Sequence, residues 1–107
     1  DLVLGVPGSM SGEPRNVVFL VDRLPAGSTW TATGIGRWHM PVTMTALALG
    51  GNVRVGLEDN IFYHKGVLAE GNAQLAARVA RIAAEWGREC ATPDEARRIL
   101  KLAPYDK

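Results

Sequence analysis

Short apolar runs alternate with helical patterns along this chain. Residues 2–6, 29–33 and 52–58 are rich in valine, leucine, threonine and tryptophan and predict three β-strands. Each of these runs ends in a loop that contains glycine or acidic residues. The rhythm of apolar positions between them changes from a period of about two to a period of about 3.6 residues.

The stretches between and after the strands predict four helices. The first has Pro14 in its first turn and stops before residues 25–27, and the second is bracketed by Pro41 and the glycines at 50–51. A long helix from Asn72, its expected N-cap, to Gly87 has an apolar stripe that excludes Arg78. Thr-Pro-Asp-Glu at residues 92–95 is a capping box and predicts a last short helix to about residue 102.

The order strand–helix, three times, with a terminal helix predicts an α/β fold with a parallel sheet. Residues 89–91 are too short a run to assign as a fourth strand. We expect one domain or a part of one, and the abrupt entry at Asp1 into a strand pattern suggests a piece of a longer protein.

Composition excludes several classes of function. The 107 residues carry a net charge of +1, from 12 basic and 11 acidic side chains, so no strong field favours nucleic acid or a membrane surface. Cys90 is the single cysteine, which excludes an internal disulfide and a thiolate metal site. A cytoplasmic location is the expectation.

Residues 52–60, Asn-Val-Arg-Val-Gly-Leu-Glu-Asp-Asn, carry the strongest chemical signal. In an extended strand, Arg54, Gly56 and Glu58 would share one face, although the apolar neighbours suggest burial on both faces. Charges in such a strand need a partner, a metal or a chemical task. Because functional residues of parallel α/β folds lie at the carboxyl ends of strands, Glu58 and Asp59 are candidates for a metal ligand and a base.

Arg54 is the candidate partner of these carboxylates. By strand rise it lies about 13 Å from Glu58, so only its long side chain could reach that residue, across the space that Gly56 leaves. The competing interpretation is a buried ion pair that only fixes the register of the strand.

The remaining candidates are weaker. His39 and His64 match no metal-binding spacing and are expected to be surface or loop residues. Gly34 and Gly36 begin a dinucleotide-binding pattern, but His39 stands where the third glycine is required. Arg37, just after this turn, is a candidate for contact with a phosphate group.

The chain resembles the β-keto acid cleavage enzyme family, best known for 3-keto-5-aminohexanoate cleavage in lysine fermentation. The similar segments are Val-Pro-Gly at residues 6–8, Gly-Ile-Gly-Arg at 34–37, Gly-Gly at 50–51 and, above all, Val-Arg-Val-Gly-Leu-Glu-Asp-Asn at 53–60. The resemblance extends over residues 2–102.

The resemblance implies a (β/α)8 TIM barrel. Residues 1–107 would then be the C-terminal part of a single TIM-barrel domain: its last three strand–helix units and a short terminal helix. The family holds a catalytic zinc with a glutamate that matches Glu58 and with a His-x-His pair, which this sequence lacks. Arg54 and Asp59 match residues implicated in catalysis, and Arg37 is the candidate cofactor-binding residue.

The implied reaction converts a β-keto acid and acetyl-CoA to acetoacetate and a new acyl-CoA, in a homo-oligomeric enzyme. Because two zinc ligands and most of the barrel lie outside these residues, we expect the 107-residue chain alone to be inactive. Two other interpretations remain: a truncated, noncatalytic α/β interaction module, and a small α/β fold that binds a phosphorylated ligand.

Overall fold

The computed structural model describes residues 1–104 and has an α/β architecture. A three-stranded parallel sheet has the order β1-β2-β3, and an antiparallel pair, β4 and β5, forms a separate hairpin. The strands are β1 Leu2–Leu4, β2 Thr31–Gly34, β3 Asn52–Val53, β4 Phe62–His64 and β5 Val67–Leu68. The helices are α1 Pro14–Val21, α2 His39–Ala48, α3 Asn72–Glu85 and α4 Pro93–Ile99.

The predicted strand–helix alternation is confirmed, and most boundaries shift by a few residues. The second helix begins at His39, ahead of Pro41, because the 3-10 turn Gly36–Trp38 leads directly into it. Gly71 occupies the N-cap position of α3, where Asn72 was expected. The capping box of α4 is present as predicted, with Thr92 and Glu95 bonded to each other's backbone amides.

Two expectations about strands need correction. The third strand was expected over residues 52–58 but spans only Asn52–Val53, because the chain turns after Gly56. The sequence pattern predicts no strand between residues 59 and 71, but this segment contains the β4–β5 hairpin, whose register shifts between Phe62 and His64. The short hairpin strands are largely exposed, so they lack the alternation of burial that would reveal them in the sequence.

The two faces of the parallel sheet differ in chemistry. Leu4 and Ala32 point toward α1 and α2 and form a buried core with Val17, Val42 and Ala46. Because side chains alternate along a strand, Thr33 and its neighbour in the register, Arg54, lie on the opposite face. The apolar core therefore supports the sheet from one side, and the other side carries polar groups beside the exposed Val3.

None of the helices described over residues 1–104 is long and apolar enough to cross a bilayer.

Candidate active site

The turn that follows β3 builds the site. The amide of Arg54 donates to the carbonyl of Ala32 at 3.1 Å, which continues the ladder for one residue beyond the strand. The amides of Asp59 and Asn60 then both donate to the carbonyl of Gly56 at 3.1 Å. This turn brings the carboxylates of Glu58 and Asp59 within reach of the Arg54 side chain.

One guanidinium contacts three carboxylates. Arg54 Nη1 lies 3.2 Å from Asp1 Oδ2, and its Nη2 lies 3.5 Å from Glu58 Oε1 and 3.3 Å from Asp59 Oδ1. A delocalised cation with five donors can serve several carboxylates at once, whereas an ammonium acts as a compact point charge. The cluster of four side chains is acidic by two charges in its ionised form.

Asp59 is the buried member of this cluster, at 8% exposure. Its Oδ2 lies 3.3 Å from Arg54 Nε, within ion-pair distance, but has no hydrogen bond of acceptable geometry. Burial raises the pKa of Asp59 above its ordinary value, the Glu58 charge raises it further, and Arg54 opposes both. An oxygen that is buried, incompletely bonded and more basic than usual is suited to accept a proton.

Glu58 is the exposed member, with 57% of its side chain accessible. Its carboxylate folds back over Gly56, where a methyl group would overlap the carboxylate oxygens. The space at Gly56, expected to let the Arg54 side chain pass, is therefore occupied by the Glu58 carboxylate. The sequence could not show which of the two charged side chains would use it.

Asp1 was not singled out from the sequence. The hydroxyl of Thr33 donates to its Oδ1 at 3.0 Å, and Arg54 holds its other oxygen. The register of β1 and β2 places Asp1 on the same face as Thr33. In the sequence, its position directly before the first strand was the feature that could have identified it as a site residue.

The turn after β2 is bonded to the carboxylate turn. The amide of Gly36, with φ of +57°, donates to the carbonyl of Asp59 at 2.8 Å. Arg37 is exposed, and its guanidinium stacks over the Trp38 ring at 4.6 Å. Arg37 thus belongs to a neighbouring surface, and the ion pairs that join the carboxylates involve Arg54.

Two residues lie elsewhere than expected. His39 is buried at 2% exposure, and burial, aided by the nearby Arg78 charge, lowers the pKa of its imidazole below the usual value. Arg78 was expected to face away from the core, but it is 7% exposed and donates to the carbonyl of Tyr63. The carbonyl and the ring of Tyr63, in the β4–β5 hairpin, take the place of solvent at this guanidinium.

Among residues 1–104, Glu58 is the candidate metal ligand. Glu58 presents an accessible carboxylate, whose oxygen is an acceptable zinc donor. Within residues 1–104, no group of three histidine, cysteine or acidic side chains is arranged to hold a metal ion. Any zinc at Glu58 would therefore need further ligands from outside residues 1–104.

The sequence matches known proteins over most of its length. It is 52% identical over 102 residues to the 3-keto-5-aminohexanoate cleavage enzyme of Fusobacterium nucleatum, covering 95% of this chain and 37% of that protein. The enzyme of the same name from Acetoanaerobium sticklandii is 45% identical over 103 residues, which are 96% of this chain and 38% of the relative. The 3-oxoadipate:acetyl-CoA acetyltransferase of Cupriavidus necator is 40% identical, with coverages of 95% and 37%.

These matches make the family assignment secure while leaving most of each relative unmatched. The chain spans less than two fifths of the length of these curated relatives. The family model described as beta-keto acid cleavage enzyme matches residues 1–102. The chain therefore belongs to the beta-keto acid cleavage enzyme family.

Proposed function

We propose that the protein containing these residues transfers an acyl group from a β-keto acid to CoA and releases acetoacetate. Its substrates would be the β-keto acid and acetyl-CoA. The observation that carries the proposal is the turn that brings Arg54, Glu58 and Asp59 together at the carboxyl end of β3. Names of relatives that include acetyl-CoA transfer support the co-substrate.

In this proposal Asp59 moves the proton. Its Oδ2, buried and without a hydrogen bond, accepts the proton from the carbon between the keto and carboxylate groups. Arg54 favours the ionised form of Asp59, against the effect of burial, and positions its oxygens through contacts at 3.3 Å. Because Asp59 is shielded from bulk water, it retains the proton for return to the product carbanion.

The proposed reaction needs only the β-keto acid, acetyl-CoA and the proton held by Asp59 for every bond formed to be matched by a bond broken. The carbanion attacks the carbonyl of acetyl-CoA, a new C–C bond forms, and the CoA thiolate leaves. The thiolate then adds to the original keto carbonyl, the C–C bond beside that carbonyl breaks, and the electron pair remains on the departing carbon. Asp59 returns its proton there, so the products are acetoacetate and the new acyl-CoA.

Zinc fits this site only as a metal shared with other parts of the protein. We propose that Glu58 supplies one ligand through its exposed carboxylate and that two histidines outside this chain supply the others. Bound there, zinc would act as a Lewis acid toward the keto oxygen. Gly56 provides the space in which the Glu58 carboxylate lies.

We also propose that the parallel sheet is part of a closed TIM barrel. The helices α1 and α2 cover the Leu4 face, whereas Thr33 and Arg54 lie on the other face, as expected for the outside and inside of a barrel. In the order β1-β2-β3, both outer strands have an edge available for pairing among the described residues. A noncatalytic interaction module would give no reason for the buried, incompletely bonded Asp59.

The division of roles is tested with two variants of the full-length protein. We expect Glu58→Ala to lose bound zinc, and Asp59→Ala to keep zinc but to lose turnover by about 10²–10⁴-fold, the usual contribution of a general base. Zinc content by elemental analysis and acetoacetate formation from acetyl-CoA are the two measurements. Equal zinc content in both variants would contradict the assignment of Glu58 as the ligand.

A second test of the proposed function uses the 107-residue chain by itself. We expect it to bind no stoichiometric zinc and to produce no acetoacetate, because its sequence lacks the His-x-His pair that would supply the other ligands. Tight zinc binding with turnover by this chain would overturn the proposed need for external ligands.

A further inference from the structure

A pocket of about 690 Å³ lies beside the candidate active site. It is bounded by the start of α2, the β4–β5 hairpin and α3, and the active-site turn contributes Asn60. Its ionisable lining residues, except one tyrosine, are cationic or histidine: Arg37, His39, His64, Lys65 and Arg78. No aspartate or glutamate occurs among the lining residues. The pocket is therefore complementary to an anion.

Arg78 is a buried cation without a carboxylate partner among the ion pairs of residues 1–104. Its Nη1 donates to the carbonyl of Tyr63, and its guanidinium stacks over the Tyr63 ring at 4.1 Å. Its Nε and Nη2 are buried without a hydrogen-bond partner. A desolvated cation with free donors is costly unless an anion reaches it.

His39 adds a second unsatisfied group to the same pocket. Both of its ring nitrogens are buried without a partner, although the side chain is only 2% exposed. A neutral imidazole has one donor and one acceptor nitrogen, and leaving both unbonded carries a desolvation cost. A ligand with hydrogen-bonding oxygens beside Arg78 would also satisfy the donor nitrogen of His39.

We propose that this pocket binds the diphosphate portion of the acetyl-CoA co-substrate. The inference rests on the proposed function and names the residues that would hold the co-substrate's charged portion: Arg37, Lys65 and Arg78, with His39 as a hydrogen-bond donor. Three permanent cations match a diphosphate better than the single carboxylate of a β-keto acid. A volume of about 690 Å³ also exceeds what one phosphate group fills, and Met40 and Phe62 can contact apolar parts of the same molecule.

The position of the pocket allows one molecule to reach both sites. Gly36 lines the pocket, and its amide is bonded to the carbonyl of Asp59 at 2.8 Å. Asn60, also in the lining, directly follows Asp59 in the chain. The pocket therefore adjoins the turn that carries Asp59, and a co-substrate whose diphosphate lies by Lys65 would extend from there toward the carboxylates.

The first test measures binding of inorganic pyrophosphate to the full-length protein by calorimetry. Lys65 is exposed, so Lys65→Met removes a charge from the pocket without opening the core. Arg98→Met is the matched control, because Arg98 is exposed on α4 and is absent from the pocket lining. We expect the dissociation constant to rise about tenfold for Lys65→Met, as for the loss of one charge-assisted bond, and to stay unchanged for Arg98→Met.

The second test compares acetyl-CoA with S-acetylpantetheine, which has the thioester but no phosphate. We expect Lys65→Met and Arg37→Met to lower the ratio of kcat/KM for acetyl-CoA over S-acetylpantetheine about tenfold, and Arg98→Met to leave it unchanged. This ratio separates the phosphate contacts from changes at the carboxylates, which affect both thioesters.

The outcomes distinguish the pocket from the proposed reaction. Absence of pyrophosphate binding, or equal binding by Lys65→Met and Arg98→Met, overturns the pocket assignment even if acetoacetate is formed. Lys65-dependent pyrophosphate binding without turnover of acetyl-CoA supports an anion pocket for another diphosphate ester and refutes the acetyl-CoA assignment. A thioester ratio that is unchanged in Lys65→Met and Arg37→Met refutes that assignment as well.

Discussion

The two faces of the parallel sheet follow different physical rules. On the face covered by α1 and α2, Leu4 and Ala32 are fully buried in an apolar core. On the other face, Thr33, Asp1 and Arg54 form a chain of hydrogen bonds and ion pairs that ends at Asp59. The first face stabilises the fold through burial, whereas the second holds charges at short distances from one another.

This difference shows why the site lies where it does. A polar network needs a rigid support, and the covered face supplies it through close packing behind the strands. The charged residues then require only a short turn after β3 to come together. In the proposed barrel, the same division would separate the packed exterior of the strands from the reactive interior.

The largest expected effect concerns the covered face. Leu4→Ala should lower the free energy of unfolding of the full-length protein by about 2–5 kcal/mol, because it leaves a cavity in a fully buried core. Denaturant unfolding followed by circular dichroism measures this change.

The matched variant on the opposite face is Thr33→Val, which keeps the shape and removes the hydrogen bond to Asp1. It should cost about 1 kcal/mol, the usual net contribution of one hydrogen bond. Equal losses in Leu4→Ala and Thr33→Val would contradict the division between a stabilising face and a polar face.

An effect on function, smaller than that of Leu4→Ala on stability, concerns Gly56. In Gly56→Ala, the added methyl group would overlap the Glu58 carboxylate and displace it, while the end of that flexible side chain can move without disturbing the core. We expect turnover by the full-length protein to fall about 10–100-fold, the range seen when groups that orient a metal ligand are changed. Steady-state rates and zinc content provide the measurements.

The control for Gly56→Ala is Gly71→Ala, at the N-cap of α3, where no atom lies near the potential Cβ. That variant leaves the space over Gly56 unchanged, so it should retain zinc binding and turnover. Normal turnover and zinc content in Gly56→Ala would refute the role given to this space.

Much of the face covered by α1 and α2 could be predicted from the sequence, because burial imposes a regular spacing of apolar residues along a helix or strand. The apolar positions of α1 and α2 and the capping box at Thr92 follow local rules that need no tertiary information. The family assignment from the string at residues 53–60 was also confirmed. The TIM barrel and the roles of the site residues stay predictions.

The polar side was harder to predict, because its geometry depends on contacts between distant residues. The pattern of residues 52–58 favours a strand, yet bonds from Asp59 and Asn60 to Gly56 turn the chain there. Asp1 joins the site only through pairing of β1 with β2. The burial of Arg78 depends on a hairpin that its own helix pattern does not reveal.

The smallest expected effect concerns His39, a buried polar residue at the start of α2 on the covered side. Its pKa is lowered from the ordinary 6.5, mainly by burial and further by Arg78, so near that pH the unfolded state binds more protons at this site than the folded state. His39 therefore makes folding stability decline as the pH is lowered through about 6.5 and below. His39→Gln should reduce this decline in denaturant unfolding measured between pH 7.5 and 5.5, and an unchanged slope in the variant would show that His39 titrates alike in both states.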